Sequence, residues 1–85
     1  MLEELIDRLG YRQPMDEARA VAAWPVVAGP TVAGVTERVW MRDGRLHVKV
    51  RSAPWRHQLH LQREGWRNQL NQHLGRAVVA EVVFC

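Results

Sequence analysis

The sequence predicts an α+β fold in the order α-α-β-β-α-β, a three-stranded sheet packed against helices, as a single domain over residues 1–85. Three features lead there. Apolar residues recur at helical spacing near the N-terminus and again after Ser52. Asp43-Gly44 lies between two alternating segments as a two-residue hairpin turn does, because both positions accept positive φ. A β-branched run then closes the chain from Ala77 to Phe84.

Leu2, Leu5, Ile6 and Leu9 stand at i, i+3, i+4 and i+7 and predict a short amphipathic helix ended by Gly10. A second helix begins at Gln13-Pro14, with Asp16 and Glu17 opposing the dipole in its first turn. It is expected to run to Trp24, with Ala18, Val21 and Ala22 as its buried stripe. Pro25 should kink or divide it, since proline removes a helical hydrogen bond and clashes with the preceding turn. Gly29-Pro30 is a firmer break, followed by one further turn to Gly34.

Counting outward from Asp43-Gly44 pairs Arg42 with Arg45, Met41 with Leu46, Trp40 with His47, Val39 with Val48, and Arg38 with Lys49. Strand alternation sorts these residues onto two faces. Val39, Met41, Leu46, Val48 and Val50 form the core side. Arg38, Trp40, Arg42, Arg45, His47, Lys49 and Arg51 form the other, which contains no acid on this reading.

Ser52 suits the cap of a third helix, with Pro54 tolerated in its first turn. Trp55, Leu59, Trp66 and Leu70 fall within one narrow arc and predict its buried stripe. Gly75 supplies the stop. In the final strand, Val78, Ala80, Val82 and Phe84 share a side. The helical crossover makes this strand parallel to the second hairpin strand, beside either of the two.

A chain of 85 residues has room for one core. Its 47% hydrophobic and 25% charged residues match a globular protein and exclude a disordered tail. The acidic start Met1-Leu2-Glu3-Glu4 is unlike a signal peptide, and no apolar stretch approaches the ~20 residues of a membrane span. Cys85 is the single cysteine and makes no internal disulfide. These features lead to the expectation of a cytoplasmic protein without membrane contact.

Charge is uneven. Residues 1–43 hold seven acids against five arginines, whereas residues 44–85 hold two acids against seven basic residues. The second half is therefore the side that suits a polyanion. On the outer face of the hairpin, Arg38 opposite Lys49 and Arg42 opposite Arg45 place like charges across the ladder, which destabilises a hairpin. Trp40 sits among them, directed away from the core. A basic surface with an aromatic platform suits single-stranded nucleic acid, cations following phosphates while a ring stacks on a base. The expected contact residues are Arg38, Trp40, Arg42, Arg45, Lys49 and Arg51. Arg56, Arg63 and Arg67 come next, on a helical stripe shared with His60.

Catalysis finds little support. His57 and His60 lack a Cys-x-x-Cys or a Glu-bearing metal motif, and no glycine-rich phosphate loop is present. Glu64 and Glu81 are the only acids after the hairpin, so paired carboxylates for acid–base work cannot be located. The reading is of a non-enzyme, with no cofactor, metal or small-molecule substrate.

Trp24-Pro25-Val26-Val27-Ala28-Gly29 resembles a Trp-x-x-Val-Val-Gly helix end. The hairpin from Asp43 to Val50, then Ser52-Ala53-Pro54-Trp55 and Leu59, resembles a second motif. Asn71-x-x-Leu74-Gly75 and Val82-Val83-Phe84 resemble a closing helix and strand. In this order, over about Trp24 to Phe84, they resemble the DciA family of bacterial replicative-helicase loaders and operators. The resemblance implies a KH-like fold and a role in chromosome replication, binding single-stranded or forked DNA and helping the DnaB-type helicase onto it. It also implies a nucleoid-associated place in the cytoplasm. The chain has no Gly-x-x-Gly, the backbone clamp of RNA-binding KH domains, so side chains of the hairpin and third helix must make the contacts. Trp24, Trp55, Leu59 and Phe84 are expected to be core residues. Two other readings stand beside this one: an RNA-binding module of the ribosome-associated kind, and a protein-interaction domain docking through Trp40, Val79 and Val83.

Overall fold

The computed structural model describes residues 13–85. The helix expected at Leu2–Leu9 lies outside them. The elements are α1 (Gln13–Val35), β1 (Thr36–Arg42), β2 (Arg45–Val50), α2 (Ala53–Leu61), α3 (Arg63–Leu74) and β3 (Glu81–Phe84). They form an α+β fold with a mixed sheet of order β1-β2-β3, β1 antiparallel and β3 parallel to β2. The last strand therefore lies beside the second hairpin strand.

The hairpin pairs as expected from Arg38↔Lys49 to Arg42↔Arg45. Asp43 (φ 53°) and Gly44 (φ 77°) both take positive φ, the geometry whose twist matches that of the flanking strands. Leu46, Val48 and Val50 are buried, and Val39 and Met41 pack half-buried against them. Ser52 caps α2 by accepting the Trp55 amide on its hydroxyl (3.4 Å), and Gly75 ends α3 at φ 81°.

Several expectations change. The buried face of α1 is Ala20, Ala23 and Trp24, with Val21 and Val27 packed half-buried beside them, so of the expected stripe Val21 holds and Ala18 and Ala22 do not. Ala18 and Ala22 are exposed, because Trp24, the largest side chain on the helix, decides which face turns inward. The helix also continues through Pro25 and breaks at Gly29 (φ 85°, ψ 170°). Pro25 lies on the exposed side, while Pro30 disfavours helical geometry at Gly29. By length and composition, Met15–Val35 could cross a bilayer, contrary to the sequence reading. Here its inner face lies against the sheet instead.

The third predicted helix is two. Gln62 (φ −105°, ψ 16°) separates α2 from α3, and its amide donates to the Leu59 carbonyl at 3.0 Å as a tight turn does. Both halves still bury one anchor, Leu59 and Leu70, with Trp55 and Trp66 half-buried. The final strand is shorter than Ala77–Phe84. Asn71 explains this: its side-chain oxygen accepts the amides of Val78 (3.0 Å) and Val79 (2.8 Å), and its NH₂ donates to the Val79 carbonyl (2.9 Å). With those groups taken, Val78 and Val79 cannot join the ladder, and Val79 turns inward to 2% exposure. Val79 is thus no docking residue.

Asn71 also predicts a measurable outcome. Asn71→Ala should cost about 2–4 kcal/mol, since it strands buried amides rather than removing one exposed contact. A urea melt with an unchanged midpoint would show that this loop holds without it.

Candidate nucleic-acid interface

The hairpin's outer face begins with the shape of β1. The register shifts between Thr36 and Arg38, so a bulge falls at Glu37. From Arg38 onward, alternation directs Arg38, Trp40 and Arg42 outward, in line with Arg45, His47 and Lys49 of β2. Trp40 and His47 stack face to face, with centroids 5.2 Å apart and planes 7° from parallel. The Arg38 guanidinium carbon lies 4.8 Å from the indole centroid. This places a cation and an imidazole against Trp40, which tightens the ring's position.

The face is not acid-free. Strict alternation would put Glu37 with Val39 on the core side, but the bulge returns it outward, where its carboxylate lies 3.7 Å from the Lys49 ammonium. The parallel register sets Glu81 of β3 beside Arg45, with 3.3 Å between Nε and Oε2. Both pairs are about half-exposed, so each is worth only ~0–1 kcal/mol. Their effect is mainly to lower the field of the basic face. Arg42 approaches only the flanking Asp43, at 3.9 Å and almost fully exposed. Arg38 and Arg51 have no carboxylate partner among the described residues.

The helical arginines do not form one stripe, because the turn at Gln62 separates them. Arg56 is half-buried on α2. Arg63 and Arg67 of α3 line a groove with Glu64, Ala80, Glu81 and Val82. Glu81 therefore stands between Arg45 on the sheet and the two arginines of α3. Arg63 donates to the His60 carbonyl (3.1 Å), closing the end of α2, and Arg67 donates to the Asn68 side chain (3.1 Å). Within the described residues there is no cluster of three or more His, Cys, Asp or Glu side chains placed to hold a metal.

The family model described as "Dna[CI] antecedent, DciA" matches residues 1–84. The chain belongs to the DciA family. Membership implies a part in loading the DnaB-type helicase for chromosome replication, and the family is one of helicase loaders rather than enzymes. No curated protein matches the chain. Several motif residues carrying the family resemblance have structural work in this DciA chain. Trp24, Leu59 and Phe84 are buried, and Asn71 fastens the loop before β3.

His47 joins the candidate residues because of its stack on Trp40, which the pairing count had already placed opposite it. Glu37 and Glu81 had no comparable signal: one depends on a bulge, the other on a crossover register. Changing either to Gln should leave the melting midpoint nearly unchanged, by less than ~1 kcal/mol. A larger loss in thermal melts would mean that these pairs hold the sheet together.

Proposed function

We infer that this chain is a DNA-binding accessory factor of replication that helps load or operate the DnaB-type helicase, gripping single-stranded or forked DNA on the outer face of the hairpin. The observation that carries the DNA reading is Trp40, held between Arg38 and His47 in a row of cations away from the core. When Arg38 turns from the ring to a phosphate, it frees the indole to stack on a base, and the adjacent guanidinium groups suit further phosphates. Side chains do this work, in keeping with the absence of Gly-x-x-Gly. The site of action would be the nucleoid in the cytoplasm.

The cations should contribute unequally. Among the described residues Arg51 has no carboxylate partner and Arg42 only the exposed Asp43, while Arg38 first leaves the Trp40 ring. Arg45 and Lys49 first exchange a carboxylate for it. Arg63 and Arg67, past β3 in a groove with Glu64 and Glu81, and the half-buried Arg56 on α2 are the most weakly placed for phosphate.

The test is single-stranded DNA affinity across a salt series. Trp40→Ala with Lys49→Ala should weaken binding by about 1–3 kcal/mol for the lost stack and reduce the salt slope by about one. Weak binding that ignores salt would refute the hairpin as a phosphate surface. Equal or better binding of matched RNA would move the assignment to an RNA module. Helicase association is separable: capture of DnaB by the wild type and by this double variant is expected to be equal.

A further inference from the structure

β3 is an outer strand, because the order is β1-β2-β3. The Cys85 amide donates to the Val48 carbonyl at 3.0 Å, and the Cys85 carbonyl accepts from the Val50 amide at 2.9 Å. Residues of a parallel strand turn these groups to alternate sides. Cys85 and Val83 therefore address β2, while Val82 and Phe84 direct both N–H and C=O away from the sheet. Nothing among the described residues pairs with those four groups outside the sheet.

The two sheet edges differ. β1 carries the Glu37 bulge and the charged Arg38 and Arg42, devices that discourage another strand from joining. β3 reads Glu81-Val82-Val83-Phe84, without lysine or proline. Alongside it runs the groove formed by Ala80, Glu81 and Val82 on the strand side and by Arg63, Glu64 and Arg67 on α3. Glu81 is already engaged by Arg45, which leaves two arginines against Glu64.

We propose that the β3 edge recruits an extended acidic segment of a partner protein as a fourth strand. Its main chain pairs with Val82 and Phe84, the recognition mode of strand addition. A carboxylate side chain opposite Val82, on the helical side, reaches Arg63 and Arg67, and charge-assisted bonds make that contact selective. A small apolar side chain on the other side covers the half-buried Val83. Nucleic acid fits less well here. It presents no ladder of amides and carbonyls to pair with Val82 and Phe84. This surface is independent of the hairpin reading.

The experiment titrates a blocked peptide of alternating Thr and Val with a central Asp into the whole chain, reading amide hydrogen exchange by NMR. Companion peptides replace Asp with Lys, or carry N-methyl groups on alternate amides in either phase. The Asp peptide should slow exchange at Val82 and Phe84. The Lys peptide should bind at least tenfold more weakly, and N-methylation in one phase only should abolish binding. Arg63→Glu with Arg67→Glu should reverse the Asp-over-Lys preference. Should that variant fail to fold, the N-methyl comparison on the wild type still decides. Equal binding of both N-methylated phases, or no preference for Asp, would overturn the proposal. So would protection of these amides by oligothymidylate but not by peptide, which would assign the edge to nucleic acid.

Discussion

The Trp24 indole is the contact on which the rest of the structure depends. It is 1% exposed, meets Trp66 edge-on with centroids 5.3 Å apart, and lies 5.6 Å from the Phe84 ring. Its N–H donates to the Thr36 hydroxyl at 3.1 Å, which in turn donates to the Val32 carbonyl at 2.9 Å. One side chain thereby joins α1, the start of β1, α3 and β3. A dry indole with a satisfied N–H needs a particular distance between helix and sheet. The break at Gly29 lies between Trp24 and Val32, so the chain can reorient and bring Thr36 back to that N–H.

With that anchor in place, the sheet's inner face is committed to Leu46, Val48, Val82 and Phe84. Whatever else the strands carry must point outward. The outer face therefore accumulates cations that oppose one another, and the structure moderates this by local means. A bulge delivers Glu37 to Lys49, the crossover delivers Glu81 to Arg45, and Arg38 settles over Trp40. The resulting surface keeps an excess of positive charge concentrated on β1 and its ring pair. Stability and a cation-rich surface thus coexist without a buried charge, since no polar or charged residue among those described is fully buried.

Membership in the DciA family ties this small fold to helicase loading in replication. Two proposed surfaces, the outer face of the hairpin and the free edge of β3, then divide the chemistry. The hairpin side offers cations and stacked rings, and the β3 side offers unpaired backbone beside two arginines. Ion pairs on the first are exposed and exchangeable. The second is defined by main-chain direction, which side-chain exchange cannot alter. On the two proposals above, that separation lets one domain meet a nucleic acid and a protein at once.

The hairpin was legible from the sequence between the turn and the Arg38–Lys49 pair, register included, because Asp43-Gly44 admits one tight turn and a period of two then sorts the side chains, whereas the bulge at Glu37 breaks that period. The Ser52 cap, the Gly75 stop and the outward Trp40 were legible for the same reason, each being a rule about neighbours in the chain. Tertiary structure alone decided the inward face of α1, the turn at Gln62, the shortened β3 and the carboxylates on the basic face. Those outcomes rest on contacts between residues far apart: Trp24 with Trp66 and Phe84, Asn71 with Val79, Glu81 with Arg45. Local periodicity reports which residues can share a face. Which of several permissible faces is buried depends on the largest side chain finding its partners, and that is settled only when distant segments meet.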